Sequence, residues 1–203
     1  MNPDVMSRFI KYMFIAILVT VAVYFILPGF VERAPGDYFT EQGDILLRDR
    51  KYDEAMKKFD AALKEQPDHR GALMGRALIY IQTKKYDKAV IELTYLIDYL
   101  KRTLKPDDRT GKGVLAAAYA NRGIVHDRET RYQRALDDYV LSIKTDEGAV
   151  SGPDVIHKIL YGNSRPSTVR KRAQYIFQQL KLPPDKRVLR VPEIDKKQRM
   201  YKP

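Results

Sequence analysis

Three histidines, His69, His126 and His157, are the side chains best suited to titrate or to ligate a metal in this chain of 203 residues. None has a second histidine or a carboxylate at ligand spacing on one helix face, and no HExxH-like pair occurs. Structural roles are expected instead, His69 in a turn after Pro67 and His126 at an aromatic packing position. Nucleophilic chemistry fares no better: Ser7, Ser142, Ser151, Ser164 and Ser167 all lack a G-x-S-x-G setting, and Ser167 reads as the N-cap of a following helix. Thr110-Gly111-Lys112-Gly113 resembles phosphate-binding chemistry only on the surface. A P-loop needs G-x-x-x-x-G-K-S/T between a strand and a helix, so that backbone amides wrap the phosphate. The spacing fails here, no strand is expected, and a flexible inserted loop is the reading. Asp107-Asp108 and Asp137-Asp138 are sequence neighbours, which do not face each other on a helix. The absence of cysteine removes disulfides and thiolate metal sites. The residues therefore offer no catalytic constellation, no metal site and no cofactor site, and a non-enzymatic role is expected.

The elements behind these residues are announced by a repeated phrase. It reads Lys51-Tyr52-Asp53-Glu54-Ala55, then Lys85-Tyr86-Asp87-Lys88-Ala89, then Arg131-Tyr132-Gln133-Arg134-Ala135. Ala55 and Ala89 lie 34 residues apart, the period of a helix–turn–helix solenoid unit, and the small alanine marks a place where helices approach closely. Phe39, Gly43, Leu46, Phe59, Ala62 and Pro67 surround the first copy; Leu73, Ala77, Tyr80, Leu93 and Leu96 the second; Tyr119, Gly123, Tyr139 and Ser142 the third. The spacing predicts helices over 37–49 and 53–65, 70–83 and 87–104, and 114–129 and 133–145. Ala89 and Ala135 are 46 residues apart, so about twelve residues are inserted near 104–115.

In words and spacing the stretch 36–148 resembles the tetratricopeptide repeat family. The resemblance implies an all-α fold, a solenoid of about three helical hairpins, whose first helices line a concave binding groove. Carried over position by position, the groove is lined by Asp44 and Arg48, by Met74, Leu78, Ile81 and Gln82, and by Asn121, Ile124, Asp127 and Arg128. Asp44, Arg48, Met74, Leu78, Ile81, Gln82, Asn121, Ile124 and Arg128 are the expected partner-binding residues. This mixture of apolar and charged groups suits an amphipathic helix or an extended peptide. One subclass of the family grips a terminal carboxylate with Lys and Asn. The matching positions here hold Asp37 and Glu41, Gly71 and Gly75, and Ala117 and Asn121, so only Asn121 fits.

Outside the repeats two segments differ in character. Tyr12–Leu27 carries no charge, and with Phe30 and Val31 it approaches the roughly 20 apolar residues that cross a bilayer. Residues 12–31 are read as an uncleaved anchor, because Pro28-Gly29-Phe30-Val31-Glu32-Arg33 is a poor cleavage motif. Pro28-Gly29 is expected to break that helix. Arg8 and Lys11 precede the span and only Arg33 soon follows it, which by the positive-inside rule puts residues 1–11 in the cytoplasm and the repeats in the periplasm. The formal net charge of +11 is concentrated at the far end: residues 164–203 hold twelve basic residues against three acidic ones. Anionic lipid headgroups suit that segment better than nucleic acid, which calls for exposed stacking aromatics; Tyr175 and Phe177 are expected to be packed.

Residues 149–181 are read as capping helices, one opening at Gly152-Pro153-Asp154 and one at Arg165-Pro166-Ser167 with Val169, Ala173, Ile176, Phe177 and Leu180 on a single face. Residues 182–203 form a basic tail, docked over 187–195 and disordered at its end; the alternative to a partner in the groove is that the C-terminal helices or this tail fill it intramolecularly. The expected role is a single-pass inner-membrane adaptor that binds a protein or peptide partner on the envelope side. The alternative is a fixed structural or assembly subunit of a larger membrane complex.

Overall fold

Small residues sit where the helices cross, and the chain is laid out around them. The computed structural model describes residues 3–30, 34–150, 168–195, 198 and 200–201, and it divides into two units, Met1–Ala34 and Pro35–Pro203. The first unit is a single helix, α1 (Pro3–Phe30), which runs through Pro28-Gly29 rather than ending there. Over Val5–Val23 its mean hydropathy is 1.8, and every side chain of that stretch is exposed. It is long and apolar enough to cross a membrane; a signal sequence near an N-terminus passes the same test.

The second unit is helical, with no strand among the described residues. α2 (Asp37–Arg48) pairs with α3 (Tyr52–Glu65), α4 (Arg70–Gln82) with α5 (Tyr86–Thr103), and α6 (Arg109–Arg128) with α7 (Tyr132–Val150). Ala55, Ala89 and Ala135 are all fully buried at these crossings. Size is complementary as well: the Phe59 ring fills space that Gly43 and Gly75 leave open, since a Cβ on either would strike it, and Tyr139 does the same against Gly123, where a Cβ would lie 2.8 Å from the ring. In the middle unit the counterpart pair is Ala77 and Leu93, both fully buried.

Each hairpin turns at the same register. Arg50, Lys84 and Thr130 have φ of 60°, 58° and 61°, and each turn closes with paired backbone bonds such as Lys85 N–H to Tyr80 O (2.8 Å) and Lys84 N–H to Ile81 O (3.2 Å). An ion-pair ladder keeps the period too. Arg76 donates to both oxygens of Glu92 (3.0 and 2.9 Å) and to Asp60 (2.8 Å); Arg122 donates to both oxygens of Asp138 (2.9 and 2.7 Å) and to Thr94 (3.0 Å). Each arginine thus ties its own hairpin to the preceding one.

The insertion is helical, not a flexible loop. α5 has 18 residues against 14 in α3, and α6 has 20 against 13 in α4, so the extra chain lengthens the two facing helices. α6 starts at Arg109, ahead of the expected 114, because Asp108 caps it by accepting from Gly111 N–H (2.6 Å) while holding Arg70 (2.6 Å). Gly111 is needed there: a Cβ would strike Leu104, Asp108 and Arg70. At the other end α7 breaks at Asp146 (φ −161°, ψ 99°), whose carboxylate accepts from Ala149 N–H (3.1 Å) and caps a new turn. The expected helix of 133–145 therefore ends where Asp146 can start another.

α8 (Val169–Leu180) packs on α7, burying Val169, Ala173 and Ile176 with Val150 and Tyr139 in one cluster. Its cap is Thr168, which accepts from Lys171 N–H (3.3 Å). Ser167, the proposed helix at 152–161 and His157 lie outside the described residues. Phe177 is not on the buried face; it is 50% exposed, with Lys181 over its ring at 4.2 Å. A 3-10 turn, Pro184–Lys186, and a single helical turn, α9 (Pro192–Asp195), follow.

Candidate functional site

The residues assigned to the groove separate into floor and rim. Met74, Leu78 and Ile81 on α4 and Asn121 and Ile124 on α6 are buried, whereas Arg48 and Gln82 are exposed and Asp44 and Arg128 are half-buried. Met74, Leu78 and Ile81 belong to a cluster on which Met200 and Tyr201 also pack, and Ile124 belongs to a second cluster, of α6, α7 and α8, against which Tyr201 packs as well. The apolar floor is covered, and the covering includes the end of this chain.

Asn121 shows how that end is held. Its amide nitrogen donates to Tyr201 O (2.6 Å), its amide oxygen accepts from Tyr201 N–H (2.8 Å), and its nitrogen also meets Met74 Sδ at 3.3 Å. One primary amide thereby satisfies both main-chain groups of a single residue, a contact that depends on the backbone and tolerates any side chain. Tyr201, within the stretch expected to be disordered, is held at this point. Burial raises the Tyr201 phenol above its ordinary range.

Six residues further along α6, Asp127 is the centre of a buried network. It is 5% exposed and accepts two bonds from Arg172 (2.7 Å each), one from the Tyr139 hydroxyl (3.2 Å) and one from the Gln198 side-chain amide (3.2 Å). Gln198 also donates to the Tyr139 hydroxyl at 2.6 Å. Burial pushes the Tyr139 phenol well above its ordinary value, and the Asp127 carboxylate adds to the effect. Arg172, 3% exposed, reaches Leu189 O (3.1 Å) and Asp195 (3.2 Å) besides Asp127, so a segment expected to dock over 187–195 is tied down by one guanidinium. Tyr175 donates to Val188 O (2.6 Å), and Arg190 donates to Arg128 O (3.1 Å).

Arg172, Tyr139, Gln198 and Asp195 are additions to the expected set. A signal existed for Arg172: it stands three residues after Val169 and one before Ala173, on the inward stripe of α8, where a cation requires a buried acid. Nothing comparable marks Gln198. A cavity of about 420 Å³ remains beside it, lined by Tyr86, Asp127, Arg128, Arg190 and Asp195 among others.

Among the described residues, His69 and His126 take capping and packing places. His69 caps α4 by accepting from Ala72 N–H at its Nδ1 (3.2 Å), and its Nε2 meets Asp37 at 2.9 Å. His126 is buried, and that burial holds its imidazole down from 6.5 to about 4, with Asp138 opposing the effect.

Comparisons with known proteins agree with this architecture. The family profile described as Tetratricopeptide repeat matches residues 40–98, from within α2 to within α5. The Hsp70-Hsp90 organising protein of Plasmodium falciparum (isolate 3D7) is 31% identical over 67 residues, which cover 33% of this chain and 12% of that protein. Among solved structures, the first tetratricopeptide domain of Spaghetti (RPAP3), bound to the HSP90 peptide SRMEEVD, superposes with a TM-score of 0.51 at 17% identity, covering 74% of this chain and 96% of that one. The Arabidopsis OM64 tetratricopeptide domain gives a TM-score of 0.49 at 15% identity, over 69% of this chain and 94% of that one.

Proposed function

Starting from a chain that carries tetratricopeptide repeats, we propose that it is a non-enzymatic interaction adaptor, anchored in the inner membrane by α1, that holds a segment of a protein partner in the groove of α2, α4 and α6. The observation that supports this reading is the Asn121 amide closing on both main-chain groups of Tyr201, since a side chain of α6 there takes a chain segment by its backbone. The structural neighbour bound to an HSP90 peptide lends the reading its class of ligand. Its chemistry differs here: Asp37, Glu41, Gly71, Gly75 and Ala117 stand where a carboxylate grip needs Lys and Asn, so the proposed partner is not an acidic terminal tail. The exposed apolar side chains that follow Lys11 on α1, from Tyr12 to Val23, support the anchor, because an uncharged apolar helix of this kind needs an apolar cover. The proposed orientation, with the repeats in the periplasm, rests on Arg8 and Lys11 preceding the span. The basic segment adds contact with anionic lipid as a secondary proposal.

The test is site-specific photo-crosslinking in membranes. A crosslinker at Gln82 or Arg48, both exposed on the groove rim, is expected to capture a protein partner, and one at Ile91 on α5 is not. Adducts at Ile91 with none at either rim position would defeat the groove reading. A second reading, a fixed subunit of a larger membrane complex, is favoured by the apolar hollow of about 580 Å³ between α7 and α8, where Leu136, Val140, Leu141 and Phe177 line the wall. It predicts instead a crosslink at Phe177 to one protein at constant stoichiometry.

A further inference from the structure

Resting on the groove reading, we infer that the partner is an extended peptide with the pattern Gln-x-Met-Tyr, and that this chain's own Gln198–Tyr201 holds the partner's place until it is displaced. Two fixed points set the pattern. Asn121 takes the main chain of Tyr201, and the Asp127–Tyr139 pair takes the side-chain amide of Gln198. Asn121 and Asp127 are six residues apart on α6, about 9 Å along a helix axis, and three residues of extended chain span about 10 Å. The two distances match, and the segment runs antiparallel to α6, with Gln198 toward its C-terminal end.

Beside the fixed points lie the apolar contacts: Met200 and Tyr201 pack on the α4–α6 cluster that contains Met74, Leu78 and Ile81. Backbone pairing at one end, amide recognition at the other and an apolar pair beside them define register and composition together. Asp127 is itself locked by Arg172, so the amide-reading group is pre-set and does not need the segment to orient it. A partner must win against a tethered competitor. Such a tether acts at an effective concentration of the order of millimolar.

The test uses the full chain in detergent and a fluorescein-labelled peptide of residues 194–203, Ile-Asp-Lys-Lys-Gln-Arg-Met-Tyr-Lys-Pro. In fluorescence anisotropy the double variant Met200→Asp, Tyr201→Asp should bind the peptide at least ~10-fold more tightly than the unaltered chain, because its own segment no longer competes. Adding Asn121→Ala to that variant should weaken binding about tenfold, the loss of two net hydrogen bonds. Replacing the glutamine of the peptide by alanine should also weaken it. Equal affinity for the unaltered and double-variant chains, or for the peptide and a scrambled one, overturns the inference. A second measurement needs no variant: saturating peptide should speed amide exchange at Tyr201 of the unaltered chain, and unchanged exchange overturns the inference as well. Capture of a partner from the rim positions, with no peptide binding in these experiments, would leave the groove reading standing and remove only this pattern.

Discussion

Arg172 and Asp127 are each almost wholly buried, and each is the other's main charge partner. Removing one leaves the other desolvated and unpaired, at a typical cost of 3–5 kcal/mol, roughly, for a broken buried pair. Arg172→Leu is therefore expected to lower the unfolding free energy, read from denaturant titration, by about that amount. The double substitution Arg172→Leu, Asp127→Leu should lose less than the two single ones added together, and additive losses would argue against direct coupling. His126 gives the chain a pH response. Its folded-state value lies near 4, below the ordinary 6.5, so the unfolded state takes up a proton first as the pH falls. Stability should decline between about pH 6.5 and 4, as followed by denaturant titration at several pH values, and His126→Phe should flatten that decline. Asp108, held below its usual range by Gly111 N–H and then by Arg70, acts in a separate window below 3.8. At this scale the sequence was informative where a residue broke a pattern, as Arg172 breaks the apolar stripe of α8. It was silent where a residue looked ordinary: Gln198 has neighbours of unremarkable polarity, and only its partners 59 and 71 positions away give it a role.

Among the helices, legibility follows the range of the forces involved. The hairpins of α2–α3 and α4–α5 came within one or two residues of their expected bounds, because their signals, small alanines, apolar spacing and turn positions, lie inside a single period. The inserted stretch did not. Its helical start depends on Asp108 meeting Arg70, 38 residues away, and on Gly111 fitting beneath Leu104, neither of which local composition reveals. Phe177 was assigned to the buried stripe by periodicity alone; the stripe is narrower, running through Val169, Ala173 and Ile176, and leaves Phe177 outside. The repeat register itself is testable. Ala89 is fully buried at a helix crossing, so Ala89→Leu should overpack it and cost roughly 1–3 kcal/mol, read as a lower thermal midpoint. A leucine accommodated there without loss would place the crossing elsewhere.

For the molecule as a whole, the uncharged run within α1 predicts that the chain sediments with membranes and resists carbonate extraction; recovery of a soluble form beginning near residue 35 would identify α1 as a removed leader instead. The presence of a tail that could fill the groove was readable from the sequence, but its register was not, since a pairing across 80 residues has no local signature. That separation has a consequence in time. Contacts within and between adjacent hairpins form from nearby sequence and need little loop closure, whereas the bond of Asn121 to Tyr201 closes a loop of 80 residues and must form late. Synthesis at about 5–20 residues per second delivers Tyr201 roughly 4–16 s after Asn121. Every newly made copy thus passes through an interval in which its first hairpins can fold and the Asn121 amide has no segment of its own chain to meet. The first peptide to reach that amide in a nascent chain competes against nothing.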